Sequence, residues 1–199
     1  MKVINLGETD SVLGNIVAQM RDRTIQKDSL RFRFNLKKLG QIFGYEISKA
    51  LGILAILLAA FIAAMGLWQL IREKDLKKVN YRFYATACLY IVTMVLYVLF
   101  DKIALNYRPI LVNDILAPSY PSTHTMLGLV LFGSAIPYIW VCIESEKGQR
   151  LVTACCCAFA LLTVLSRFFS GYHWLTDIIG GILFAGALLS WYTYAGTAV

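Results

Sequence analysis

The chain has 199 residues, a length that suits a single domain. Hydrophobic residues make up 58% of it and charged residues only 16%, whereas soluble domains are usually about half apolar and a quarter charged. This balance excludes a disordered chain, a coiled coil and a disulfide-stapled secreted module, and it argues against a water-soluble enzyme. The formal net charge is +7, so an anionic lipid or phosphate, rather than nucleic acid, is the expected partner. The sequence therefore predicts an integral membrane protein.

Five apolar stretches are candidates for membrane-spanning helices, and a sixth span is left open. The hydrocarbon core of a bilayer is about 30 Å thick and requires roughly 17–25 apolar residues in a helix. The predicted spans are residues 50–71, 84–100, 126–143, 151–165 and 178–195. The third contains Pro137, which is expected to kink it, and the fourth is shorter than the others. The predicted fold class is therefore all-α, a polytopic transmembrane helix bundle.

Residues 1–49 differ from the rest of the chain because they hold nine of its 19 Lys and Arg residues. Apolar residues repeat at helical spacing after Asp10, a candidate N-cap, and again after Asn35. We therefore predict two short amphipathic helices joined by a basic stretch. Three roles stay open for them: lying on the membrane surface, binding a partner, or covering one end of the bundle.

Part of this segment resembles the beginning of bacterial uracil phosphoribosyltransferases. The similar stretches are residues 19–22 (QMRD), 30–33 (LRFR) and 45–48 (YEIS). The resemblance covers about a quarter of the chain. Such enzymes bind phosphoribosyl pyrophosphate with paired acidic residues and a small-residue loop, and both are absent downstream. We therefore expect no transferase activity, and both a borrowed helical arm and a fused gene start stay open.

The polar residues beside the spans gather in two loops. Charges inside a membrane protein are costly, about 2.5–3.5 kcal/mol each at mid-bilayer on insertion scales, so their positions are informative. The loop after the second span holds Lys102, Arg108, Ser122, Thr123 and His124, and the loop after the fourth holds Arg167, His173 and Asp177. Two spans separate these loops, so both lie on the same side of the membrane. The protein's two histidines are therefore expected to meet at one face.

This set of side chains suits phosphoryl transfer. Arg108 and Arg167 offer planar forks that match phosphate oxygens, and a helix beginning near Ser122 directs free N–H groups towards the same anion. One histidine can attack phosphorus while the other protonates the leaving oxygen. Asp177 follows His173 by four residues and reaches an imidazole nitrogen if a helix begins there. It would then fix the tautomer and stabilise the cation formed on attack.

Three motifs in the chain resemble those of the type 2 phosphatidic acid phosphatase family, which shares its site with vanadium haloperoxidases. The third motif, Ser-Arg-x5-His-x3-Asp, is matched in full from Ser166 to Asp177. The second, Pro-Ser-Gly-His, occurs with Thr123 in the place of glycine. In the first, Lys-x6-Arg-Pro, Arg108 and its following proline fit, but an aspartate occupies the lysine position and Lys102 comes one residue later. The resemblance covers roughly residues 50–199, the predicted membrane phosphatase domain.

The resemblance implies a membrane lipid phosphatase that uses neither metal nor other cofactor and acts on an anionic lipid phosphate in the bilayer. His173 would be the nucleophile that forms a phosphohistidine, Asp177 its partner, and His124 the general acid and then base. Thr123 would be strained if its position required a positive φ. The implied phosphate-binding groups are Arg108, Arg167, Ser122, the backbone N–H of Thr123, and Lys102.

Two alternatives use the same residues: a lipid phosphotransferase, and a non-catalytic lipid-binding member of the family. A haloperoxidase is not expected, because those relatives are soluble. The identity of the lipid and the oligomeric state stay open.

The orientation of the predicted site has two conflicting indications. Twelve Lys and Arg residues lie on its side of the membrane and seven on the other, which by the positive-inside rule places the site in the cytoplasm. Bacterial relatives usually carry the site on the outer face and have six spans, with the first motif after the third. In this chain the first motif follows the second span, so the sequence has one membrane span fewer than those relatives before the motif. From the resemblance alone we expect a multi-pass protein of the plasma (inner) membrane with a non-cytoplasmic site.

Overall fold

The computed structural model describes residues 11–110 and 116–197, and this part of the chain is largely helical. A 3-10 turn, Leu76–Lys78, separates the third and fourth helices. The helices are α1 (Val12–Arg21), α2 (Arg23–Lys27), α3 (Ser29–Glu73), α4 (Tyr81–Lys102), α5 (Thr123–Cys142), α6 (Glu146–Ser170) and α7 (Leu175–Thr197). The predicted all-α class is confirmed.

Four of these helices are long and apolar enough to cross a membrane, namely Ser29–Glu73, Tyr81–Lys102, Glu146–Ser170 and Leu175–Ala195. Their outer surfaces expose large apolar side chains, among them Phe61, Val95, Leu161 and Leu183. An apolar surface of this extent suits lipid rather than water. Together with α5, these helices form a polytopic bundle of five long helices. Four of the five predicted spans thus lie in helices that are long and apolar enough to cross a membrane.

Helix α5 forms the centre of the bundle and packs against α3, α6 and α7. Its 20 residues extend about 30 Å at 1.5 Å per residue, and they contain Pro137 and all but the last residue of the third predicted span. Met126 and Val130 on α5 are fully buried and pack with Leu89 of α4 and Ala185 of α7. A helix that is apolar on all sides is typical of such a central position.

Helix α3 differs from the sequence prediction, because one helix of 45 residues replaces the second amphipathic helix and the first span. It begins at Asp28, whose Oδ1 accepts hydrogen bonds from the N–H groups of Leu30 and Arg31 at 3.2 and 3.1 Å. Asn35, the predicted N-terminal boundary, lies inside the helix, and its Nδ2 donates to Gln19 Oε1 at 3.1 Å. No proline separates the two predicted segments, so the helix continues through both. The division into domains at residue 49 stays a prediction.

The first amphipathic helix is present as α1, which packs against α3 through the buried Ile16. Its N-cap is Ser11, whose Oγ accepts a hydrogen bond from Gly14 N at 3.0 Å. Asp10, the predicted N-cap, lies outside the described residues. The amphipathic pattern therefore identified this helix, and α1 and α2 lie against the same end of α3.

The helices around the predicted site are longer than the apolar stretches that indicated them. Helix α6 continues to Ser170, so Arg167 belongs to its last turn rather than to a loop. Helix α7 begins at Leu175, so Asp177 lies in its first turn. Gly171, with a φ of 69°, ends α6 in the left-handed conformation that glycine adopts without strain. Only a short turn around His173 is left between the two helices.

Candidate active site

His173 lies in the turn between α6 and α7 and is 8% exposed. Its Nδ1 is 3.1 Å from the backbone carbonyl oxygen of Ser119, in the loop that precedes α5. A carbonyl oxygen only accepts hydrogen bonds, so Nδ1 carries the proton in this arrangement. Nε2 therefore keeps its lone pair, which is the form that a nucleophilic imidazole requires.

The protonation state of His173 follows from its surroundings. Burial and the positive charges of Arg167 and Arg108 lower the pKa of His173 to about 3. Burial has the largest effect, because it removes water from the charged form of the ring. The imidazole is therefore neutral near neutral pH, and its lone pair is available.

Asp177 is fully buried beside this imidazole. Its Oδ2 accepts hydrogen bonds from the Ser119 hydroxyl and, at 2.9 Å, from Trp174 N. The same oxygen lies 3.7 Å from His173 Nδ1, beyond hydrogen-bond distance but close enough to stabilise a positive charge on the ring. Ser119 thus links the carboxylate and the imidazole, with its hydroxyl bonded to one and its carbonyl to the other.

Arg167 lies on the opposite side of the His173 ring. Its Nη2 is 3.4 Å from His173 Nε2, and the residue is only 5% exposed. Its Nε is buried and has no hydrogen-bond partner among the described residues. A buried donor without an acceptor is costly, and a phosphate oxygen placed here would remove that cost.

Arg108 is held by the loop between α4 and α5. Its backbone N–H donates to Ala117 O and its Nε to Pro118 O, both at 3.1 Å. Ser119 N donates to Asn106 O at 2.8 Å, so the two ends of the loop pair with each other. These bonds hold the Arg108 charge where it acts on both His173 and Arg167.

The N-terminus of α5 completes this side of the site. Ser122 N donates to Asp177 O at 2.8 Å, which joins the start of α5 to the start of α7. The Ser122 hydroxyl shares a hydrogen bond with Thr125 Oγ1 at 2.9 Å and does not cap the helix. The first N–H groups of α5, those of Thr123 and His124, have no acceptor within the helix, and the helix dipole adds partial positive charge there.

Thr123 occupies the glycine position of the second motif with an ordinary helical backbone. Within residues 11–110 and 116–197, Lys74 is the only non-glycine residue with a positive φ. The strain considered for Thr123 therefore does not arise, and its amide is free to donate.

A cavity of about 650 Å³ opens beside these groups, between α3, α4, α5 and α6. Arg167 and His124 lie at its polar part, where the Tyr97 ring meets the His124 imidazole edge-on at 6.3 Å. Its other walls are largely apolar and include Leu51, Ile56, Leu127 and Leu131. The cavity therefore combines cationic and titratable groups with a long apolar surface.

Lys102 does not line the cavity that contains Arg167 and His124. It is exposed at the end of α4 and borders a neighbouring apolar groove with Val95 and Leu99, which shares Tyr90 and Met94 with the cavity. Asp101, one residue earlier, interacts electrostatically with His124. Successive residues of a helix differ by about 100° in direction, which explains why Asp101 and Lys102 have different surroundings.

The charges of the site favour an anionic ligand. Arg108 and Arg167 both act electrostatically on His173, and Asp177 is a buried carboxylate 3.7 Å from its Nδ1. Among the described residues, no three His, Cys, Asp or Glu side chains gather closely enough to hold a metal ion. A phosphate group, with several acceptor oxygens and negative charge, fits this arrangement.

Sequence reasoning missed some residues of the site. Ser119 has no distinguishing pattern, because a serine between two prolines resembles any loop serine. Tyr45 and Lys49 line the cavity from α3, although they belong to the segment for which we expected no activity. Tyr45 and Lys49 lie four residues apart, and the apolar residues of α3 that line the cavity follow them at intervals of three and four residues. This helical spacing is the sequence signal that identifies them.

The fold and the site define a multi-pass helical membrane protein with a cationic, histidine-containing site at one end of the bundle. Residues 101–198, just under half of the chain, match the family model of the PAP2 superfamily. Its structure is similar to the crystal structure of a transmembrane PAP2-type phosphatidylglycerolphosphate phosphatase from Bacillus subtilis. The two share 18% identity with a TM-score of 0.53, over 94% of this chain and 92% of that one. The resemblance inferred from the three motifs is confirmed.

A second similarity is short. Uracil phosphoribosyltransferases from two strains of Porphyromonas gingivalis are 53% identical to the chain over 49 residues. These residues are 25% of this chain and 23% of each enzyme, so the chain spans about a quarter of these curated relatives. The match is as local as the sequence resemblance indicated.

Proposed function

We propose that the protein is a membrane lipid phosphatase that hydrolyses a phosphomonoester or pyrophosphate of a lipid through a phosphohistidine on His173. The observation that carries the proposal is the cavity whose polar part holds Arg167 and His124 and whose other walls are apolar. An anionic head with a hydrocarbon tail fits such a cavity. The match of residues 101–198 to the family model of the PAP2 superfamily and the shared fold support the proposal.

The substrate phosphate binds between Arg167, Arg108 and the N-terminus of α5. Its oxygens accept hydrogen bonds from the unpaired Arg167 Nε and from the free N–H groups of Thr123 and His124. The phosphate also replaces the contact between Arg167 Nη2 and His173 Nε2. The hydrocarbon tail lies along α3 below this point. The cavity wall on α3 runs from residue 45 to residue 59, about 21 Å at 1.5 Å per residue.

In the first step, the Nε2 lone pair of His173 attacks phosphorus, and the bond between phosphorus and the lipid oxygen breaks. His124 gives a proton to that oxygen, so the lipid leaves as a neutral alcohol or a protonated phosphate. The imidazole becomes positively charged, and the Ser119 carbonyl and the nearby Asp177 carboxylate stabilise it.

In the second step, water replaces the lipid at the opposite side of the phosphoryl group. His124, now neutral, removes a proton from the water while its oxygen attacks phosphorus. The bond between Nε2 and phosphorus breaks, which restores the neutral imidazole and releases inorganic phosphate. The arginines and backbone N–H groups hold the phosphoryl oxygens throughout both steps.

Phosphate release from purified protein in detergent tests the proposal. The substrates are phosphatidic acid, phosphatidylglycerophosphate, undecaprenyl pyrophosphate and a lipid A phosphate. His173→Ala is expected to reduce release to background and His124→Ala by about 10²–10⁴-fold, whereas the control Trp191→Phe near the other end of α7 retains activity. Undiminished release by His173→Ala would contradict the proposal. Transfer of phosphate to an added acceptor lipid, in place of release, would identify a phosphotransferase.

We further propose that the protein lies in the plasma (inner) membrane with its site on the non-cytoplasmic face, as in bacterial relatives. A membrane-impermeant maleimide tests the face in intact cells, on a variant without native cysteines. Arg23→Cys in α2, at the site end, should then react, and Lys77→Cys at the other end of α3 should react only after lysis. The reverse pattern would place the site in the cytoplasm.

A further inference from the structure

Lys49 of α3 lies in the wall of the same cavity as Arg167 and His124. We propose that Lys49 binds a phosphate oxygen of the lipid headgroup, the role that the motif comparison assigned to Lys102. The inference rests on the proposed function and adds a specificity-determining residue to it. Residues 29–49 then form part of the substrate site rather than an appended arm.

The position of Lys49 follows from one face of α3. Tyr45, Lys49, Gly52, Ile56 and Ala59 succeed one another at intervals of four, three, four and three residues, and all line the cavity. This spacing places their side chains on a single helical face. Lys49 is the one charged residue among them, between the polar level of Tyr45 and the apolar residues below.

Close contacts with α6 and the His173 turn fix the height and rotation of this face. The Tyr45 ring stacks on Tyr172, next to His173, with ring centroids 5.4 Å apart. Gly44 lies against the backbone of α6, so closely that a Cβ there would be 2.7 Å from Ser170 N. Because α3 is seated in this way, Lys49 stands one helical turn from the level of the nucleophile.

The Lys49 ammonium group has no oppositely charged side chain in the cavity. Among the described residues it has neither an ion pair nor a hydrogen bond from its side chain, and no Asp or Glu lines the cavity. Lys49 is itself exposed, as Lys102 is, and an uncompensated ammonium group is costly where the bilayer covers such a surface. Its flexible stem allows it to follow an anion. An anionic headgroup therefore supplies the missing charge, whereas Lys102 borders a different groove.

Variants of Lys49 test this inference through the split between KM and kcat. Lys49→Gln is expected to raise KM for the lipid phosphate about tenfold and to change kcat less than about threefold, because one charged contact is lost in binding. Lys49→Arg should restore KM to within about threefold of its value in the unaltered protein. The control Lys37→Gln removes an exposed basic residue from the same helix, and its KM should equal that of the unaltered protein. An unchanged KM in Lys49→Gln, or a raised KM in Lys102→Gln instead, would overturn the inference.

A binding measurement separates the failure of this inference from the failure of the proposed function. A fluorescent short-chain phosphatidic acid is titrated into the His173→Ala protein, with and without Lys49→Gln, so that no turnover is required. We expect Lys49→Gln to raise Kd about tenfold, and an unchanged Kd would overturn the inference even in an inactive protein. In the KM assay, we expect Lys49→Gln to raise KM for both monophosphate and pyrophosphate lipids, and an effect confined to pyrophosphate lipids would overturn the inference together with the unchanged Kd.

Discussion

The backbone carbonyl oxygen of Ser119 lies 3.1 Å from His173 Nδ1, and the hydroxyl of the same serine donates to Asp177. The carbonyl holds the imidazole in the tautomer with a free Nε2, and the hydroxyl holds the carboxylate near the ring. Orientation of the His173 imidazole is thus divided between a backbone group, which no side-chain substitution removes, and a side-chain hydroxyl.

Ser119→Ala removes the hydroxyl but keeps the carbonyl. A hydrogen bond to a charged group contributes about 1.5–3 kcal/mol, so we expect kcat to fall by roughly 10–100-fold while the protein stays folded. Steady-state kinetics on the purified variant measure this change. The control is Ser134→Ala, a buried serine of α5 bonded to Tyr90 away from the His173 turn. Equal kcat values for the two variants would show that the Ser119 hydroxyl has no role in positioning Asp177.

The pKa of His173 predicts a pH dependence of stability. Burial, with Arg167 and Arg108, lowers this pKa to about 3 from the 6.5 or so of an unfolded chain. Between these values the unfolded chain binds a proton that the folded protein does not, so the free energy of unfolding falls as the pH falls below about 6.5. The loss is at most about 1.4 kcal/mol per pH unit.

Thermal unfolding in detergent at pH 7 and pH 5 measures this effect. From pH 7 to pH 5, the Tm of the unaltered protein should fall further than that of His173→Gln, which lacks the titrating imidazole. The comparison cancels groups that titrate in both proteins, such as His124. Equal losses in the two proteins would contradict the low pKa of His173.

Two glycines of α3 provide a matched test of the contact between α3 and α6. A Cβ at Gly44 would lie 2.7 Å from Ser170 N and 2.9 Å from Ser166 O, whereas at Gly40 nothing lies within 4 Å. Gly44→Ala is therefore expected to destabilise the protein by about 1–3 kcal/mol, and Gly40→Ala to leave it as stable or slightly more so. Unfolding of both variants in the same detergent measures the difference. Equal stability would mean that α3 does not approach α6 this closely.

A second pair of glycines, on α7, tests the N-terminus of α5. A Cβ at Gly181 would lie 2.7 Å from Ser122 O, whereas a Cβ at Gly186 would meet nothing within 4 Å. Gly181→Ala should displace the N–H groups to which we assign phosphate binding and lower kcat/KM at least tenfold. Gly186→Ala should stay close to the unaltered protein. Inhibition by inorganic phosphate should weaken in Gly181→Ala alone. Unchanged inhibition would indicate that the start of α5 does not hold the phosphate.

Much of the bundle was predictable because charges are rare in it. His173, His124 and Arg108 stand out in an apolar chain, and the number of spans between their two loops was enough to bring these loops to one end. Helix lengths were less predictable, because hydropathy marks where a helix is apolar and not where it ends. Polar residues at helix ends, such as Arg167 in the last turn of α6, therefore appeared to belong to loops.

The contribution of α3 to the site was not predictable from residues 1–49. The segment is basic and amphipathic, which indicates a surface helix, and Asn35 has the character of an N-cap although its side chain bonds to Gln19. Only the packing of Gly44 on α6 and of Tyr45 on Tyr172 shows that this surface covers the His173 turn. Such contacts depend on shape between distant segments, and a one-dimensional pattern does not contain them.

The configuration at phosphorus tests the phosphohistidine most directly. The phosphoryl group of a lipid phosphate made chiral with the three oxygen isotopes is transferred by the purified protein to an added alcohol, or a lipid thiophosphate carrying two of the isotopes is hydrolysed in water of the third. The configuration of the product is determined by NMR. Each in-line displacement inverts phosphorus, so attack by His173 followed by attack of water or alcohol predicts overall retention. Overall inversion would mean that water attacks the substrate directly, and it would contradict a covalent intermediate on His173.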